Sequence, residues 1–185
     1  ISREKEYEET RPYYNPEKLY AHMDMFSRFG KPLQVTEITV PSYSWEKEDE
    51  EIQADILEYL YSIWFSHPAV EQIVYWNLVD GYAHVWDPDP AVIAASQGNM
   101  TQGENYYHGG LLRFDLSKKP AYERLDELIN CRWHTEKTVY TNARGEVSFR
   151  GFYGDYELEI TKDGKTVTES ITLAKTGENS FTVTL

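Results

Sequence analysis

Hydrophobic residues change their spacing at Trp133-His134, and that change limits the chain to two dissimilar folding units. Upstream, apolar residues recur at helical intervals, interrupted by two short apolar runs. Downstream they alternate with polar ones. A period near 3.6 belongs to helices and a period of two to strands. The sequence therefore predicts an α/β domain over residues 1–134 and a small all-β domain over 135–185.

Within the first part, Asn15-Pro16 reads as a helix start, a capping side chain followed by proline at the first helical position. Leu19, Met23 and Phe26 continue the helix and Gly30 ends it. The strand Leu33–Ile38 follows. A second helix begins after Tyr43-Ser44-Trp45. Its acidic first turns suit the positive end of the helix dipole, and Ile52, Ile56, Leu60 and Ile63 form its expected apolar stripe. Val70–Val79 is a nearly continuous apolar run, as in a parallel strand covered on both faces. A third helix opens near Pro120, with Tyr122, Leu125, Leu128 and Ile129 as its buried face. Helix, strand, helix, strand, helix describes consecutive β/α units. In the second part, Val147/Phe149, Tyr156/Leu158/Ile160, Val167/Ile171 and Phe181/Val183 alternate between turn signals such as Asp163-Gly164. They predict five or six antiparallel strands in a sandwich.

Composition excludes several classes. A net charge of −13 opposes a nucleic-acid partner, whose phosphates need compensating cations. No apolar run approaches the roughly 20 residues of a membrane span. A chain that begins at Ile1 and shows no leader peptide reads as a processed or excised piece. One cysteine, Cys131, gives neither a disulfide framework nor a cysteine zinc site, and it reads as a small buried apolar residue. The 15 tyrosines and 5 tryptophans suit flat sugar faces as well as a core.

One carboxylate stands out. Glu37 lies near the C-terminal end of the first strand, where an unpaired buried carboxylate would cost several kcal/mol, so it is expected to face a cleft. If the two strands are parallel, Asn77 and Asp80 project toward the same rim, flanked by Trp76 and Tyr82. His84, His108, Asp87 and Asp89 match no zinc or calcium spacing, and no metal or other cofactor is predicted.

Three motifs together resemble glycoside hydrolase family 10, the retaining endo-β-1,4-xylanases. Leu33-Gln-Val-Thr-Glu-Ile38 is similar to that family's seventh strand, and Ile73-Val-Tyr-Trp-Asn-Leu-Val-Asp80 to its eighth. The stretch from Gly109 to Tyr122, with Lys118-Lys-Pro-Ala-Tyr122, resembles its closing element. The resemblance implies the C-terminal portion of a TIM (β/α)8 barrel, its last two β/α units, followed by an immunoglobulin-like accessory sandwich. It implies that Glu37 is the nucleophile and that Trp76, Asn77, Asp80, Tyr82, His84 and Trp86 contact a β-1,4-linked polysaccharide, xylan. The acid/base glutamate, which the family carries in an Asn-Glu pair, is missing here, so the N-terminal barrel part is the implied companion segment. A secreted, periplasmic or cell-surface location follows. Thr39 stands where the family has Asp, Asn77 where it has Gly, and Ala83-His84 where it has Ser-Trp.

Overall fold

The computed structural model describes residues 11–184, which fall into two compact units divided after Leu128. In the first, a 3-10 turn at Arg11–Tyr14 leads into helix α1, Pro16–Ser27. Asn15 caps α1 by accepting from the Lys18 N–H at 3.3 Å. Strand β1, Leu33–Ile38, is followed by the long helix α2, Lys47–Ser66, and by strand β2, Val70–Tyr75. A short helix α3, Pro90–Ser96, interrupts the aromatic segment. Helix α4, Pro120–Glu127, then packs on α2 and ends in a π-type turn, Leu128–Arg132.

Strands β1 and β2 pair in parallel, with Leu33 opposite Val70 and Ile38 opposite Tyr75. The expected barrel portion is not what forms. Among the described residues this parallel sheet has two strands, and Val74, Trp76 and Leu78 remain exposed. A barrel closes only when eight strands satisfy each other's edges. The first unit is a small α/β layer instead.

The buried face of α2 is turned from the expected stripe. Ile52 is exposed, whereas Glu50, Gln53, Ala54, Leu57, Leu60, Tyr61 and Trp64 are buried. Polar partners explain the rotation. Arg113 donates to both carboxylate oxygens of Glu50, and Gln53 Nε2 donates to the carbonyls of Val40 (2.7 Å) and Gly110 (3.3 Å). On α4 the π-type turn shifts residues off the 3.6-residue face. Leu128 is buried, Ile129 is 49% exposed, and Cys131 is exposed rather than buried.

The second unit contains one hairpin, β3 (Gly154–Lys162) with β4 (Lys165–Leu173), joined by Asp163-Gly164. Both turn residues have positive φ, 50° and 77°, as a two-residue type I′ turn requires. The expected sandwich is absent among the described residues: 138–150 and 179–184 form no strand. Glu169 stands opposite Leu158 and interrupts the apolar face that a second sheet would cover. Among the described residues, all buried apolar side chains lie between Met23 and Leu128, and none belongs to this second unit.

Candidate functional site at the strand ends

The C-terminal ends of β1 and β2 are fastened side by side. The Trp76 N–H donates to the Ile38 carbonyl at 2.8 Å, and Thr39 Oγ1 donates to the Trp76 carbonyl at 3.3 Å. Two residues there carry positive φ, Glu37 at 57° and Asn77 at 67°. Non-glycine residues held in this region cost on the order of 1–3 kcal/mol and persist where the surroundings over-determine them. The Glu37 side chain is exposed. Among the described residues its carboxylate takes no hydrogen bond or ion pair.

Asp80 has the opposite environment. Its side chain and that of Lys119 are both fully buried and lie 2.7 Å apart. Asp80 Oδ2 also accepts from Trp45 Nε1 at 2.7 Å, and Oδ1 accepts from the Gly110 N–H at 2.7 Å. A Cβ on residue 110 would stand 2.4 Å from the Asp80 nitrogen, so only glycine permits this approach. Lys119 Nζ in turn donates to the His108 carbonyl at 2.7 Å. Burial pushes the Lys119 ammonium below its ordinary pKa, against the pull of the adjacent Asp80. Asp80 thus ties the end of β2 to the closing segment, with both oxygens engaged inside the protein.

Tyr75 reinforces the same junction. Its hydroxyl donates to the Gly109 carbonyl at 2.6 Å and accepts from the Val40 N–H at 3.3 Å. Burial, first among the causes, raises its pKa and keeps it a protonated donor. Further out, Tyr82 stacks on Phe114 with ring centroids 5.4 Å apart, His84 is exposed, and Trp86 is 70% exposed. Trp76 and Asn77 come together on a residue that the sequence did not single out. Glu104 Oε2 accepts from Trp76 Nε1 at 2.8 Å and from Asn77 Nδ2 at 2.9 Å. No local motif marks Glu104, because its partners lie 27 and 28 residues upstream.

The strand ends therefore present an exposed carboxylate, Glu37, and a tethered, half-exposed indole. This combination suits a polyhydroxylated ring, which stacks an apolar face on the aromatic and offers an electrophilic carbon to the carboxylate. A separate cleft of about 660 Å3 is lined by Trp45, Glu50, Arg113, Lys119 and Arg124. Arg113 pairs there with Glu50, Lys119 with Asp80, and Arg124 with Asp55 and Glu58. Among the described residues no cluster of histidine, cysteine or carboxylate side chains is arranged to hold a metal, and no helix is long and apolar enough to cross a membrane.

No family model matches the chain. Over 143 residues it is 32% identical to an anti-sigma-I factor, RsgI6, of Acetivibrio thermocellus, covering 77% of this chain and 15% of that protein. It is 25% identical over 153 residues to endo-1,4-beta-xylanase 3 of Arabidopsis thaliana, covering 83% of this chain and 17% of that one. The chain thus spans only a small part of the length of these curated relatives. Of the solved structures, xylanase 10B of Thermotoga petrophila in complex with xylobiose aligns with a TM-score of 0.47 at 20% identity, over 64% of this chain and 32% of that one. The chain is distantly similar, at low identity and partial coverage, to xylanase-like glycoside hydrolases.

Proposed function

We propose that this chain is the nucleophile-bearing portion of a retaining, xylanase-like glycoside hydrolase acting on β-1,4-linked xylan. The observation that carries the reading is Glu37: a solvent-facing carboxylate on left-handed backbone at the end of a parallel strand, beside an exposed indole. The similarity to a plant endo-1,4-beta-xylanase over 83% of the chain supports it.

In this mechanism a Glu37 oxygen bonds to the anomeric carbon as the bond to the leaving oxygen breaks. The leaving oxygen takes a proton from a carboxylic acid about 5–5.5 Å from the nucleophile. Water then attacks the glycosyl ester, gives its proton to the same carboxylate and frees Glu37. That acid/base belongs to a companion segment outside these residues. Trp76 and Trp86 supply stacking surfaces, with Asn77, Tyr82 and His84 bordering them, and Asp80 holds the strand end from within. Residues 135–185 are an accessory region. The polymer is met outside the cytoplasm, as a secreted, periplasmic or surface protein meets it.

The test uses the parent protein that contains this chain and its companion segment. Glu37→Gln is expected to lower xylan turnover at least ~10³-fold, because the covalent step loses its nucleophile. A 2-fluoroxylosyl reagent should add its mass to the peptide containing Glu37. An unchanged rate removes Glu37 from the mechanism, and turnover by residues 1–185 alone removes the companion segment.

A second reading is a carbohydrate-binding or structural protein without catalysis. Thr39 and Asn77, which depart from the xylanase pattern, favour it. Binding of xylo-oligosaccharide by a parent protein that never cleaves it would establish this reading over the first.

A further inference from the structure

Glu104 is delivered to the strand ends by a loop anchored on both sides of it. Its own N–H donates to the His84 carbonyl at 2.8 Å. The preceding Gly103 has φ +57°, and a Cβ there would stand 2.3 Å from the same carbonyl oxygen, so the close approach depends on glycine. The following Asn105 is buried, and its Oδ1 accepts from the Ala83 N–H at 2.9 Å. What this anchoring achieves is the placement of one carboxylate oxygen on two neutral donors, Trp76 Nε1 and Asn77 Nδ2. Hydrogen bonds to an ionised acceptor are about twice as strong as neutral ones. The indole is held by its edge while 41% of its surface stays open.

We propose that Glu104 is a positioning residue that fixes the Trp76 indole as a platform, and the Asn77 amide beside it, for a neutral β-linked sugar ring bound next to Glu37. The inference rests on the glycan reading above and deepens it. A platform ordered before binding spares the ligand the cost of ordering it. The charge also selects the ligand. A uronic-acid substituent would bring another negative charge to a strand end that already carries Glu37 and Glu104, so undecorated xylose or glucose units fit and acidic ones do not.

The parent protein that contains this chain and its companion segment, labelled with 15N, provides the test. The Trp76 indole N–H resonance is identified by its loss in Trp76→Phe, and affinity is read by tryptophan fluorescence with xylohexaose and with an aldouronic acid. Glu104→Ala should shift and broaden that resonance and weaken xylohexaose binding about tenfold, as loss of a charge-assisted bond implies. Glu104→Gln, which keeps an acceptor oxygen, should recover most of both and gain affinity for the acidic oligosaccharide. If Glu104→Ala does not fold, Glu104→Asp serves, since it withdraws the carboxylate by one methylene. An unmoved resonance, or a moved one with unchanged affinity, overturns the assignment of Glu104 alone. A wild-type parent protein that binds no oligosaccharide overturns the glycan reading and the platform role with it, even if the resonance moves.

Discussion

His108 sits edge-on to Trp45, ring centroids 5.1 Å apart, with a buried Nδ1 that makes no hydrogen bond. Burial lowers its pKa from the ordinary 6.5; Asp80 and Glu50 pull the other way, and Lys119 pushes it further down. The unfolded chain therefore takes up this proton at a higher pH than the folded one. The stability contributed by the neutral ring is complete above 6.5 and is lost as pH falls from there toward the folded value. The urea midpoint should thus drop between about pH 7 and pH 5 in the wild type and drop less in His108→Asn, whose side chain tolerates left-handed backbone. Equal drops would exclude His108 as the source. Such a residue is only half legible in a sequence. A histidine near Trp45 in space, 63 positions away in the chain, carries no local mark. Glu37 is legible because a strand positions it, whereas Glu104 and the inward orientation of Asp80 depend on pairings made by the fold.

Elements were read most securely where capping chemistry acts locally. Asn15-Pro16 opens α1 and Asp163-Gly164 turns the hairpin, each through backbone preferences of the residues themselves. The buried face of α2 was less legible, because Glu50 and Gln53 are drawn inward by Arg113 and by two carbonyls distant in sequence. Hydrophobic spacing alone favours Ile52 over them. The two β segments differ in support. Helix α2 is buried along much of its length, while β3 and β4 contain no buried residue. A lone two-stranded hairpin is marginal in water. Native-state hydrogen exchange should therefore protect α2 amides at least ~10²-fold more than those of β3 and β4. Equal protection would mean that the hairpin is stabilised by something other than its own ladder.

At the scale of the molecule, local periodicity predicted strands that did not assemble. A period of two specifies which way side chains point but supplies no partner edge, and Val147/Phe149 and Phe181/Val183 find none among the described residues. The parallel β1–β2 pair likewise forms without a closed sheet around it among the described residues. The order of helices and strands was therefore readable, and the cooperative architecture was not. The left-handed backbone at Glu37 places the site in tension with the stability of the whole chain. Glycine would occupy that conformation without a Cβ clash, so Glu37→Gly should raise the unfolding free energy by about 1 kcal/mol, measurable as a higher urea midpoint. The substitution that makes the protein sturdier is one that removes the carboxylate. Selection for durability alone would erase Glu37, so the nucleophile role proposed for it carries a cost in robustness that the rest of the chain must cover.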